Sequence, residues 1–127
     1  MKNNIEKIYS LSPLQQGMLY HYILDESKSE YILQYVFDVD KVLDENLIKR
    51  TLKLLMKKHE ILRGRIIYQK MKEPKMVILK DSKFDFTRIN VKDCEDEENE
   101  IQSIIEKDKN RGFNIQQESL FRVKLIE

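Results

Sequence analysis

Residues 10–24 read SLSPLQQGMLYHYIL, and the order of polar and apolar positions here decides how the chain begins to fold. Ser12 suits a helix N-cap, Pro13 suits the first helical position, and Gln15 completes a Ser-x-x-Gln capping box. The spacing therefore predicts a helix over residues 13–24. Leu14, Met18 and Tyr22 share one side of it, while Leu19, Tyr20, Ile23 and Leu24 occupy the others. Such a helix is expected to be buried on several sides and to need other elements around it. Gly17 costs a helix interior about 1 kcal/mol relative to alanine, which points to something approaching the backbone closely. His21 lies one turn later on the same side. Its structural reading is a buried histidine with a hydrogen-bond partner; its functional reading is a residue of a site.

A chain of 127 residues with 41% apolar content is long enough for one domain with a real core. The formal net charge is +1 with 35% charged residues, so no broad field draws the chain to nucleic acid or an anionic membrane. The single cysteine, Cys94, has no partner for an internal disulfide, and the opening residues MKNNIEKIYS lack an apolar core of signal-peptide length. No run approaches the ~18 apolar residues of a membrane span. The expectation is a cytoplasmic chain.

Beyond the first helix, the polar residues 25–30 (DESKSE) read as a connection, and residues 31–39 (YILQYVFDV) as a strand with Tyr31, Leu33, Tyr35, Phe37 and Val39 on one face. Asp44 caps a second predicted helix over residues 45–58. Its apolar stripe is Leu47, Ile48, Thr51, Leu52 and Leu55, and Lys49, Arg50, Lys53 and Lys57 point elsewhere. That basic face reads as solvated rather than as a membrane or partner surface. Residues 61–69 and 75–80 predict two antiparallel strands joined around Lys72-Glu73-Pro74, and residues 84–91 a third strand. The acidic residues 95–100 favour the start of a helix over residues 96–109, which Arg111-Gly112 ends, and residues 120–126 (LFRVKLI) predict a closing strand. The pattern is α/β, with helices packed on a mainly antiparallel or mixed sheet.

Most enzyme templates are absent. The chain has no glycine-rich phosphate loop, no Cys/His metal spacing and no G-x-S-x-G elbow. His21 and His59 have no evident partner for acid–base work. The acidic neighbours of Cys94 oppose thiolate formation, so this thiol reads as incidental.

Two segments carry a resemblance. Residues 8–25, IYSLSPLQQGMLYHYILD, resemble the opening motif of nonribosomal peptide synthetase condensation domains, with Ser12, Pro13, Gln15, Gly17 and Met18 matching. Residues 57–66, KKHEILRGRI, resemble the second motif, Arg-His-x-x-Leu-Arg, with His59, Leu62 and Arg63 matching and Lys58 where the family usually has arginine. Order and separation fit, and PKMVIL and ESLFRVKLI are similar to later strands of the same lobe.

The resemblance implies part of a chloramphenicol acetyltransferase-like fold, two α/β lobes in a V around a tunnel entered by phosphopantetheine arms. It implies amide formation between carrier-bound aminoacyl or peptidyl thioesters, with carrier domains and adjacent synthetase domains as partners and no cofactor or metal bound directly. The family's His-His-x-x-x-Asp-Gly motif is absent from the sequence, so no catalytic residue is expected within it. Residues 1–127 are thus read as a truncated N-terminal lobe, inactive by itself and exposing apolar surface for self-association. Met1 stands close to the first motif, so this domain is expected to open its polypeptide. The motif residues, His21 included, are structural candidates. The first helix is expected near the tunnel, with Gly17 permitting close packing, and the resemblance implies that Arg63 supports the catalytic motif by pairing with its aspartate, a partner this sequence lacks. Two alternatives remain: a noncatalytic module docking a carrier or a synthetase, and a lobe of another carrier-dependent acyltransferase.

Overall fold

The Gln15 amide donates to Ser12 Oγ at 3.2 Å and the Ser12 amide to Gln15 Oε1 at 2.9 Å, so the capping box forms as its spacing requires. It opens helix α1 (Pro13–Leu24). The computed structural model describes residues 2–25 and 30–127, and most of the polar connection read at 25–30 lies outside the described residues. After a 3-10 turn at Lys2–Asn4, the order is β1 (Ile5–Ser10), α1, α2 (Glu45–Lys58), a 3-10 turn at Glu60–Arg63, β2 (Gly64–Ile67), β3 (Lys75–Leu79), β4 (Asp85–Ile89), α3 (Glu97–Arg111) and β5 (Arg122–Ile126).

The strands form two sheets. In the first, β3 is central and pairs antiparallel with β1 and with β2, whose register sets Arg65 opposite Val77. In the second, β4 and β5 run parallel, Phe86 opposite Val123. Leu11, Leu19, Met76 and Ile78 make a buried cluster, against which Tyr22, Ile66, Tyr68 and Ile115 pack. Gly64 is needed at the start of β2, because a Cβ there would lie 2.8 Å from Met76 Sδ and 3.0 Å from the Ile61 carbonyl. Asp44 and Asp96 cap α2 and α3 through the Leu47 and Asn99 amides, both at 3.0 Å. Gly112, at φ 65°, closes α3.

Several expectations are corrected. Residues 31–39 form no strand among the described residues, Tyr31 standing in a turn at φ 64°, and Leu33, Tyr35 and Phe37 are 80%, 74% and 80% exposed. Alternation supplies a strand's faces, while a ladder needs a paired edge, and residues 31–39 join neither sheet among the described residues. Residues 61–63 belong to a 3-10 turn that follows His59 rather than to a strand. Strand β1 was not foreseen, because its residues are mostly exposed and do not alternate cleanly. Helix α1 is buried on one side only, at Leu19, and Leu14, Tyr20 and Leu24 are exposed. In α2 the inward face runs through Ile48, Leu52 and Met56, with Leu47 and Leu55 exposed.

Candidate functional site: an open groove beside the first helix

Helix α1 presents Gln15, Met18 and Tyr22 to an open groove of about 1580 Å³. Its other walls are residues 30–43, the Ile101, Ile104 and Ile105 side of α3, and the chain from Leu120 to Glu127. The Tyr22 hydroxyl donates to the Phe113 carbonyl at 2.7 Å, tying α1 to the loop after α3. Burial pushes the Tyr22 phenol above its ordinary range. Across the groove, Arg122 fixes the end of α3. It donates from Nε to Asp108 Oδ1 at 2.7 Å, from Nη1 to the Gly112 carbonyl at 2.7 Å and from Nη2 to the Asp108 carbonyl, with its guanidinium 4.2 Å from the Phe113 ring centre.

The first-motif residues divide by role. Ser12, Pro13 and Gln15 start the helix, and Gln15 and Met18 also line the groove. Gly17 does not permit a close contact within this chain, since a Cβ there would meet nothing within 4 Å. His21 is exposed rather than buried, with its ring edge-on to Tyr20 and Tyr31 at 5.7 and 6.1 Å between centres.

The second-motif residues sit apart from the groove, where α2 meets the first sheet. His59 is the exposed C-cap of α2, its amide donating to the Leu55 carbonyl at 2.8 Å, and Leu62 is half-buried in the following turn. Arg63 ties three elements. Its side chain is 11% exposed, Nε donates to the Met56 carbonyl at 2.9 Å, and Nη1 reaches the Leu79 carbonyl and Glu6 Oε2, each at 2.5 Å. Its carboxylate partner within this chain is Glu6, a residue that sequence reasoning missed because nothing in its spacing marks it. Beside it, Glu60 receives Lys7 Nζ at 2.6 Å and the Tyr9 hydroxyl at 2.7 Å. Those bonds hold the Glu60 carboxyl below its ordinary value and Lys7 and Tyr9 above theirs. Cys94 is an exposed free thiol. Among the described residues no cluster of three or more His, Cys, Asp or Glu is placed to hold a metal ion, and no helix is long and apolar enough to cross a membrane.

The fold matches solved condensation domains. A four-domain nonribosomal peptide synthetase, holo-AB3403 bound to AMP and glycine, superposes with a TM-score of 0.82 at 19% identity, over 97% of this chain and 9% of that one. The starter condensation domain of rhizomide synthetase RzmA gives a TM-score of 0.79 at 16% identity, over 96% of this chain and 29% of that one. At the sequence level, the condensation-domain family profile matches residues 5–127. Bacitracin synthase 3 of Bacillus licheniformis is 33% identical over 126 residues, 99% of this chain and 2% of that protein. Surfactin synthase subunit 2 of Bacillus subtilis (strain 168) is 32% identical over 130 residues, 98% of this chain and 4% of that protein. The chain belongs to the condensation-domain family and spans a small fraction of the synthetases it matches.

Proposed function

We propose that residues 1–127 form the N-terminal lobe of a condensation domain that joins carrier-bound thioesters. In that reaction the amine of an acceptor aminoacyl thioester attacks the donor carbonyl, a C–N bond forms, the donor C–S bond breaks, and the released phosphopantetheine thiol takes up a proton. The chain contributes structure: Ser12, Pro13 and Gln15 set α1, Gln15 and Met18 face the groove, and Arg63 with His59 and Leu62 fixes the junction of α2 with the first sheet. Carrier domains and neighbouring synthetase domains are the partners, phosphopantetheine arrives on the carriers, and the work is cytoplasmic.

The observation that carries this reading is the pair of motifs in register, the first placed along the wall of an open groove and the second built around a nearly buried arginine. The second reading is a noncatalytic docking module, which the absence of a His-His-x-x-x-Asp-Gly motif from a natural polypeptide containing this chain would support. A natural polypeptide containing this chain, supplied with loaded donor and acceptor carriers, decides between them. Dipeptidyl carrier seen by mass spectrometry supports the enzyme, and carrier binding without product supports the docking module.

A further inference from the structure

The turn that carries the second motif is bonded to the strand that leads into the first. Glu60 offers one carboxylate oxygen to each of two residues of β1, accepting from Lys7 Nζ at 2.6 Å and from the Tyr9 hydroxyl at 2.7 Å. Lys7 and Tyr9 are two apart and share a face of the strand, whereas Glu6 in a regular strand would point away from them. A bulge removes that conflict. The register steps from Ile5 to Lys7 against one step from Leu79 to Ile78, so Glu6 is the extra residue, and its carboxylate reaches Arg63 of the same turn at 2.5 Å. The 3-10 turn Glu60–Arg63 thus holds Glu6, Lys7 and Tyr9 together. It is itself fixed to α2 and β3, by the His59 amide on the Leu55 carbonyl and by Arg63 on the Met56 and Leu79 carbonyls.

β1 is an edge strand, laddered to β3 alone among the described residues, so side-chain bonds supply its second hold. Two residues separate it from α1: Leu11, which is buried in the core, and Ser12, which caps the helix. That link leaves little slack through which β1 could shift without carrying α1, whose one fully buried residue is Leu19. We propose that Glu60 is a positioning residue: the turn of the second motif sets β1 and, through β1, the placement of Gln15 and Met18 on the wall of the groove. The consequence for condensation rests on the function proposed above, while the mechanical link between the two motifs does not. Exposed ion pairs contribute little to stability, and the Lys7 and Glu60 side chains are 48% and 37% exposed. The effect therefore falls on placement rather than on folding, since a displacement of about 1 Å at reacting groups can lower a rate on the order of 100-fold.

The test has two readouts. In the full chain with labelled methionine methyl groups, at concentrations where it is monomeric, Glu60→Ala should move the Met18 resonance and leave that of Met71, in the connection between β2 and β3, in place. Tyr9→Phe, which removes one of the two bonds to Glu60 and no charge, should move Met18 in the same direction by less. Exchanging the charges, Lys7→Glu with Glu60→Lys, should restore the Met18 resonance. In a natural polypeptide containing this chain, Glu60→Ala should lower kcat ~10-fold with KM changed less than about twofold, and the exchanged pair should recover most of the rate. An unmoved Met18 resonance, a kcat no lower than that of Lys58→Ala, a raised KM at unchanged kcat, or losses that the exchanged pair leaves uncorrected while folding like the original chain would each overturn the proposal. The Met18 readout does not use activity, so an inactive natural polypeptide would count against the proposed function alone.

Discussion

At the residue scale, Arg63 and Gly17 show how a motif position is understood only once its surroundings are known. Both were legible as motif members; what each touches was not. Arg63 is a three-way tie between the end of α2, the end of β3 and Glu6 on β1, so Arg63→Ala leaves two carbonyls and a carboxylate without their donor. It is expected to cost about 2–3 kcal/mol by urea denaturation, against under about 0.5 kcal/mol for exposed Lys58→Ala. In a natural polypeptide containing this chain, Arg63→Ala should lower the condensation rate more than Lys58→Ala; equal rates would count against the positioning role. Gly17 behaves in the opposite way. With nothing within 4 Å of an added Cβ, Gly17→Ala should raise the stability of the isolated chain by up to about 1 kcal/mol, read as a higher thermal midpoint. A lowered midpoint would reveal a contact within the chain. His21 was misread because helical spacing reports which positions share a side, not which side is covered.

Elements were legible to the degree that their signals are local. Helices α1 and α2 match their expected bounds, and α3 begins one residue later and ends two residues later than expected, because caps and charge at helix ends act within a turn. Strands depend on partners distant in sequence. The β2–β3 pairing was visible from its hairpin, whereas β1 pairs with residues about seventy positions away, and residues 31–39 have alternation without an edge. Strand β1 is also held to the turn after α2 by the Lys7–Glu60–Tyr9 bonds, which predict a pH window. The Glu60 carboxyl is lowered from 4.5, so its contribution is complete above pH 4.5 and is lost as pH falls through the lowered value. Lys7 and Tyr9 are raised from 10.5 and 10.0, so theirs is complete below about pH 10 and is lost as pH rises through the raised values. Amide exchange in residues 5–10 should therefore accelerate, relative to Glu60→Gln, only outside that window. A difference that is flat with pH would show that the three groups are not coupled.

For the whole molecule, the exposed apolar side chains and the open edge of β5 predict association of the isolated chain. Light scattering should show mass rising with concentration, and a strictly monomeric particle would mean that these surfaces are sealed. The family could be read in the sequence through the two motifs, and the groove could not, because its walls bring together residues 30–43, α3 and residues 120–127, which lie far apart in the chain. Holding donor carbonyl and acceptor amine together can contribute roughly 7–11 kcal/mol to lowering a barrier, and in the function proposed above this chain would form only one side of the tunnel that the family resemblance implies. General acid–base help from a positioned histidine, commonly about 10²–10⁴ in rate, also has no obvious source in exposed His21 and His59. The most direct measurement places the purified chain, and separately a natural polypeptide containing it, with loaded donor and acceptor carriers and follows dipeptidyl carrier by mass spectrometry. The account predicts product from the longer polypeptide and none above the no-protein control from the 127-residue chain. Product from the chain alone, abolished by His21→Ala or His59→Ala, would contradict it.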